Sequence, residues 1–192
     1  EAVVRHHQAR HLWHAVHELR RTVPCPMPTG DMTTCIFPGY FMMGRQEAVD
    51  FYQKLYDEVK YRVEHKMAAI PNERYRLLWG GIAQWHNLGF YNLMESHGAV
   101  FVIETNYYRD AFTDEVDFSN PLEAITQREY ALALLAYRRS QGPGDTTYPA
   151  RAGLIMELAE KYRITGVVLH LILSCRPISI GWTHTRNVLR DR

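Results

Sequence analysis

The sequence predicts an α/β fold, in which a helical N-terminal connector is followed by an incomplete parallel (Rossmann-like) sheet with flanking helices. Three apolar runs of strand length, over residues 75–81, 99–104 and 166–173, alternate with helical segments. A strand, a helix and a second strand in succession form a βαβ unit, which closes right-handed into a parallel sheet. Since the earlier residues show only helical spacing, we expect a connector over residues 1–70 and a partial α/β domain over residues 71–192.

The composition limits the class of protein. The chain has 192 residues, is 46% hydrophobic and carries a formal net charge of +1. This apolar content is sufficient for a core, and the near-neutral charge gives no electrostatic argument for binding nucleic acid or an anionic membrane. No apolar run reaches the length of a membrane span, and the cysteines lack the spacing of a disulfide framework. We expect a cytoplasmic protein with reduced thiols.

The connector is predicted to hold two long helices. Apolar side chains recur at helical spacing over residues 1–22, and they line one face of a second helix over residues 46–67. The prolines and glycines within residues 24–44 end any long element there, although a short helix over Asp31–Phe37 is expected. The chain begins at Glu1 and ends at Arg192 inside helical patterns, so we expect a piece of a longer or split subunit.

The elements of the α/β region follow from turn signals. The first strand ends in Gly80 and Gly81, and a helix is predicted from Trp85 until Gly98 stops it. Asn120 and Pro121 open a helix that runs to about Ser140, because proline is favoured in a first helical turn. A linker over 141–144, a helix over 149–163, the third strand and a final helix ending near residue 192 complete the prediction.

Cys175 is the most informative single position. It follows a predicted buried strand and precedes a predicted helix, and ligands gather at the carboxyl ends of parallel strands. Helix N–H groups and the neighbouring Arg176 would both favour the thiolate, which is the form that binds a metal or an iron–sulfur cluster. A small buried residue without a chemical role is the alternative that the sequence leaves open.

Several segments occur together in a characteristic order. They are Pro28–Asp31, Phe37–Pro38, Glu73–Gly81, Trp85–Gly89, Gly98–Thr105, Gly166–Val168 and Ser174–Gly181. No segment is diagnostic alone, but together they resemble the 2-hydroxyacyl-CoA dehydratase and benzoyl-CoA reductase family. The resemblance covers the chain from about residue 24 to its end.

The resemblance implies an anaerobic enzyme subunit that acts on a CoA thioester by low-potential single-electron transfer. The reaction would be either ring reduction of the benzoyl-CoA reductase type or dehydration of a 2-hydroxyacyl-CoA. The general character of the sequence is closer to the benzoyl-CoA reductase type. The family uses a 4Fe–4S cluster held by three cysteines, a related second subunit and an ATP-dependent iron–sulfur activator. Cys175 matches one cluster ligand, and the remaining ligands are expected outside this segment. The alternative is a non-catalytic structural partner without a functional cluster of its own.

The same resemblance gives roles to neighbouring residues. Arg176 would offset negative charge on the cluster or else extend to solvent, and Ser174 would donate to a sulfur or cap the following helix. Trp85, His86 and Asn87 open a predicted helix whose N–H groups would hold a CoA phosphate or the thioester oxygen. Trp85 would line an acyl pocket or the core, and His86 would transfer a proton or act only as a cap.

Two further groups of metal-binding residue types carry weaker predictions. Cys25 and Cys35 do not lie at the family's ligand positions, so we expect both to be structural. His7, His11 and His14 share one helical face at a spacing that can bind zinc. Since no carboxylate or cysteine nearby in the sequence completes a ligand set, a solvated or subunit-facing helix is favoured there.

Overall fold

A computed structural model describes residues 1–110, 116–142 and 147–190. Its elements in chain order are α1 (Ala2–Leu19), α2 (Thr29–Thr34), α3 (Phe37–Phe41), α4 (Gln46–Glu64), β1 (Tyr75–Gly80), α5 (Gly89–Ser96), β2 (Ala99–Glu104), α6 (Pro121–Arg139), α7 (Ala150–Lys161), β3 (Gly166–Leu169), α8 (Arg176–Ser179) and α9 (Trp182–Arg190). The strands form a parallel sheet in the order β2–β1–β3, which confirms the predicted α/β class.

The central strand β1 sets the register of the sheet. Leu77 of β1 lies opposite Phe101 of β2 on one side and opposite Gly166 of β3 on the other. All six residues of β2 are buried, as expected for a parallel strand that is covered on both faces. The sheet therefore lies between two hydrophobic layers.

The α1 and α4 helices form the layer on one face. Trp13 and Val16 of α1 pack in one cluster with Tyr52 and Val59 of α4, and the Trp13 and Tyr52 ring centroids are 5.1 Å apart. Trp79 and Phe101 of the sheet belong to the same cluster. The predicted helices over residues 1–22 and 46–67 are thus confirmed, with their ends at Leu19 and Glu64. This face joins the connector to the sheet by direct packing.

The α7 and α9 helices supply the layer on the opposite face. Ile155 and Leu158 of α7 and Trp182 of α9 pack in a second cluster with Val100 and Val102 of β2. The predicted helix over residues 149–163 is confirmed as α7, and α9 ends at Arg190. The two terminal residues, 191 and 192, lie outside the described residues. None of the helices in the described ranges combines the length and apolarity needed to cross a bilayer.

The third strand is shorter than the sequence predicts. It ends at Leu169 instead of residue 173, and Leu173 has 99% of its surface exposed. The cause lies in β1, which ends at Gly80, so the last bond between the two strands is donated by His170 N to Gly80 O at 2.7 Å. Residues after His170 have no strand of the described sheet to pair with, and their apolar character alone does not extend β3.

Two local predictions also need correction. Residues 85–87 form a turn and not a helical start, because Trp85 N bonds to Ala83 O at 2.9 Å and Asn87 N bonds to Gln84 O at 2.8 Å, and α5 begins only at Gly89. The short helix predicted over residues 31–37 is instead split into α2 and α3. The predicted linker over 141–144 lies partly outside the described residues.

The start of α6 confirms a prediction from turn chemistry. Pro121 occupies the first turn, and the Asn120 side chain accepts a hydrogen bond from Glu123 N at 3.3 Å. The helix ends at Arg139, within one residue of the predicted end. An asparagine cap followed by proline is therefore sufficient to position this helix from sequence.

Candidate functional site

The carboxyl ends of the three strands form one edge of the sheet, and hydrogen bonds link the loops that follow them. Thr105 N, after β2, donates to Trp79 O of β1 at 3.0 Å. His170 Nδ1, after β3, donates to Ile82 O at 2.8 Å. The segments after β1, β2 and β3 are thus bound to one another, as expected of the edge where an α/β sheet binds ligands.

Gly81 is required by the geometry of this edge. Its φ of +118° lies in a region that side chains strongly disfavour, and a Cβ atom there would be 2.7 Å from His170 O. Its N–H donates to Thr105 Oγ1 at 3.3 Å. Only glycine lets the chain turn away from β1 so close to the segment after β3.

Cys175 lies on the loop after β3, immediately before the short α8 helix. Its N–H donates to Ile172 O at 3.1 Å, and its carbonyl accepts from Ser179 N at 3.1 Å. The Ser179 hydroxyl closes the loop, because it donates to Ile172 O at 2.6 Å and accepts from Ile172 N at 2.9 Å. Cys175 is half-buried and is a free thiol, so the loop does not fully enclose this residue.

Ser174 and Arg176, on either side of Cys175, are exposed. The N-cap of α8 is Cys175 itself and no side chain caps this helix, so the predicted capping role of Ser174 is wrong. The reason is that the loop is held by Ser179 instead. Within the described residues no acidic side chain pairs with Arg176, so its guanidinium is available to an anionic group beside the sulfur.

The predicted substrate-binding residues Trp85, His86 and Asn87 lie on the exposed turn after β1. Trp85 Nε1 donates to the Tyr107 hydroxyl at 3.0 Å, and its ring is 5.7 Å from that of Phe37. Since the turn is not the start of a helix, the predicted cradle of helical N–H groups is absent at residues 85–87. What remains is an aromatic surface of Trp85 and Phe37 at the strand-end edge.

The other two cysteines differ sharply from Cys175. Cys25 is fully buried, and its thiol donates to Met27 O at 3.2 Å. Burial raises the pKa of Cys25 to about 11, so it remains a neutral thiol at physiological pH. Burial also raises the pKa of Cys35, which lies at the end of α2.

The described residues do not by themselves fit a cluster held by three thiolates. Across residues 1–110, 116–142 and 147–190, no group of three or more His, Cys, Asp or Glu side chains is arranged to hold a metal ion. The α1 histidines make other contacts: the His7 and His11 rings are 4.2 Å apart, and His14 Nδ1 donates to Arg109 O at 2.8 Å. Cys175 therefore has no set of further ligands beside it within the described part of the chain.

Sequence reasoning missed a buried polar network at the end of β2. Glu104 accepts hydrogen bonds from Arg20 Nη1 at 3.1 Å, Arg20 Nη2 at 2.9 Å and Thr29 Oγ1 at 2.7 Å, and His17 Nε2 lies 3.0 Å from it. All four residues are buried. Burial alone would raise the pKa of Glu104, but the charge of Arg20 and the bonds from His17 and Arg20 lower it to about 2.

The sequence carries a signal for the need for partners, although not for which residues meet. Glu104 ends an otherwise apolar run, and a carboxylate at the end of a buried strand requires partners. His17, near the end of α1, and Arg20, directly after that helix, lie three residues apart and supply the hydrogen-bond donors that such a carboxylate needs. The network anchors the carboxyl end of β2 directly before Thr105, whose hydroxyl holds the Gly81 turn.

Comparison with known families gives a match over the whole chain. The sequence model described as 2-hydroxyglutaryl-CoA dehydratase, D-component, matches residues 1–192. A search among curated proteins finds no match. Because the family match spans the whole chain and confirms the resemblance read from the segment order, this chain belongs to the 2-hydroxyglutaryl-CoA dehydratase D-component family.

Proposed function

We propose that the chain is a cytoplasmic subunit of an iron–sulfur enzyme that dehydrates a 2-hydroxyacyl-CoA. In this reaction the 2-hydroxyl group and a hydrogen from C3 leave as water, and a C2=C3 double bond forms in the acyl chain. The description of the matching family favours dehydration over the reduction of an aromatic ring. A related second subunit and an ATP-dependent iron–sulfur activator are the partners that this assignment requires.

The observation that carries the proposal is the position of Cys175 in a chain matched by that family over its whole length. The thiol is half-buried, free and presented by a hydrogen-bonded loop at the carboxyl edge of a parallel sheet. Cys25, in contrast, is fully buried and held as a neutral thiol. We assign to Cys175 one of three thiolate bonds to a 4Fe–4S cluster, with the other ligands supplied from outside the described residues.

The remaining residues of the site have supporting roles in this proposal. Bound, the cluster would supply low-potential single electrons to the thioester. Arg176 would balance negative charge close to Cys175, since its guanidinium has no acidic partner among the described residues. Ser174 is exposed beside the sulfur and would donate a hydrogen bond to it. Trp85, His86 and Asn87 would contact the acyl-CoA on the neighbouring loop, with the Trp85 ring held by Tyr107.

The test of the cluster is its iron content. The full-length subunit is purified anaerobically together with its partner subunit, and iron and acid-labile sulfide are measured in the native protein and in Cys175→Ser. We expect the substitution to remove the iron bound by this subunit. Cys35→Ser is the matched control, because Cys35 is also a free, half-buried thiol, and it should leave the iron content unchanged.

The same measurement separates the enzyme from its alternative. If Cys175→Ser leaves the iron content unchanged, this chain is a structural partner without a cluster of its own, an alternative favoured by the absence of a metal-binding group among the described residues. The reaction class is tested by supplying activator and ATP with either a 2-hydroxyacyl-CoA or benzoyl-CoA. Turnover of benzoyl-CoA without turnover of the 2-hydroxyacyl-CoA would assign ring reduction to the enzyme and contradict dehydration.

A further inference from the structure

A small cavity lies between the carboxyl end of β2, the N-terminal part of α7, α8 and the first residue of α9. Thr105, Asn106, Arg151, Ile178 and Trp182 are among the residues that line it. Its volume of about 260 Å³ is below the roughly 300–1,000 Å³ of pockets that enclose drug-sized ligands. The cavity is therefore of a size to accept one small chemical group and not a whole coenzyme.

Arg151 supplies a fixed positive charge to this cavity. Its guanidinium lies 4.8 Å from the centroid of the Trp182 ring, and its Nη1 donates to Ile178 O at 3.2 Å. These contacts hold the group in place but use one of its five N–H donors. No carboxylate among the described residues pairs with Arg151, so its charge and its remaining donors are available to a ligand.

The other polar groups of the lining are also donors. The Asn106 side chain is half-exposed and makes no hydrogen bond to any described residue. The Thr105 hydroxyl accepts from Gly81 N at 3.3 Å, which leaves its own hydrogen free to be donated. Among the described residues, no acidic side chain lines the cavity. A cationic fork, an amide and a hydroxyl around a small space form a set that matches an oxyanion.

We propose that this cavity binds an anionic oxygen group, either a carboxylate or a phosphate, with Arg151 as the principal ligand and Asn106 and Thr105 as further donors. The planar guanidinium matches both groups through paired N–H donors. Ile178 belongs to α8, which directly follows Cys175. The bound anion would therefore lie beside the segment that also carries the proposed cluster ligand. That the anion belongs to an acyl-CoA rests on the proposed function, whereas the binding of a simple anion does not.

The test uses the full-length subunit labelled with ¹⁵N in its tryptophans, four of which lie within residues 1–192. Inorganic phosphate and glutarate are titrated separately at constant ionic strength, and the indole resonance of Trp182, identified with Trp182→Phe, is followed. We expect a saturable shift of this resonance, because Arg151 stacks on the Trp182 ring. Saturation with phosphate alone assigns the site to a coenzyme phosphate, and saturation with glutarate alone assigns it to an acyl carboxylate.

Three variants decide whether Arg151 is responsible. Arg151→Gln should weaken the binding at least tenfold, and Arg151→Lys, which keeps the charge without the planar fork, should weaken it severalfold. Arg138→Gln removes the same charge from an exposed position on α6 and should change the affinity less than twofold. The lysine variant retains a long cationic side chain and so provides the measurement if the glutamine variant does not fold.

The outcomes keep this inference separate from the proposed function. A shift that does not saturate with either anion, or an equal loss in Arg138→Gln and Arg151→Gln, overturns the anion site. Phosphate and glutarate need neither cluster nor activator for binding. Anion binding without iron or dehydratase activity would therefore overturn only the proposed function, and activity without anion binding would overturn only the site proposed here.

Discussion

Glu104, the last residue of β2, accepts hydrogen bonds from both terminal nitrogens of Arg20, at 3.1 and 2.9 Å, and neither side chain reaches solvent. The remaining Arg20 nitrogen, Nε, donates to Met27 O at 2.9 Å, and Thr29 completes the network. A buried charge pair stabilises a fold only when its donors and acceptors are satisfied, as they are here. The pair ties the end of α1 to the strand edge that precedes Thr105.

Replacing Glu104 by glutamine should strongly destabilise the protein at neutral pH. The substitution leaves the Arg20 charge buried and uncompensated, which typically costs about 3–5 kcal/mol of unfolding free energy. Urea-induced unfolding at pH 7 measures the effect. Glu58→Gln is the control, because Glu58 pairs with Arg62 on the surface, where an ion pair contributes about 0–1 kcal/mol. A loss from Glu104→Gln no larger than that of the control would contradict the assigned role.

The pH dependence of stability provides an independent check on the same carboxylate. Its pKa in the folded protein is about 2, against an ordinary value of 4.5, so the unfolded chain takes up the proton first as the pH falls. The stabilisation is thus complete above pH 4.5 and is lost as the pH falls toward 2. The shift corresponds to on the order of 3 kcal/mol. Unfolding free energies measured from about pH 6 to about pH 3 should converge for the native protein and Glu104→Gln, whereas a constant difference would refute this interpretation.

The elements that the sequence predicts well have local signals at both ends. The β2 strand has the predicted bounds because Gly98 precedes an uninterrupted apolar run that ends in a charged residue. The α6 helix starts as predicted because Asn120 and Pro121 fix its first turn by local geometry. Cys175 could likewise be singled out because a thiol between a strand and a helix is visible in the sequence alone.

The features that sequence analysis misses depend on distant contacts. The end of β3 is set by the turn of a different strand at Gly81, so an apolar run cannot reveal where pairing stops. Glu104 and Arg20 meet across 84 positions of sequence, which no periodicity encodes. The Arg151 cavity is lined in part by Trp182, which lies 31 positions away in the sequence, so no local pattern brings the two residues together.

The Gly81 turn should not tolerate a side chain. In Gly81→Ala the new Cβ would lie 2.7 Å from His170 O with φ at +118°, so we expect a loss of about 2–4 kcal/mol from strain and overlap together. Gly181→Ala is a matched control, since φ is +80° there but no atom lies within 4 Å of the added group. Strain alone should cost that variant about 1–2 kcal/mol in the same urea unfolding measurement. Equal losses in the two variants would show that the contact with His170 is unimportant.

The three thiols should differ in their reactivity toward an alkylating agent. Cys175 is half-buried on a surface loop, and in the cluster-free protein we expect it to be modified by iodoacetamide at about pH 7.5 on a timescale of minutes. Cys25 is fully buried with its pKa raised to about 11, so it should react only after the protein unfolds in urea. Cys35, which is half-buried with a pKa raised by burial, should react more slowly than Cys175. Samples are taken at intervals during the reaction, and mass spectrometry of their peptides gives the modification rates of all three cysteines. The Cys175→Ser variant identifies the fast site. Modification of Cys25 before Cys175 in the folded protein would mean that the sulfur of Cys175 is not accessible at the sheet edge.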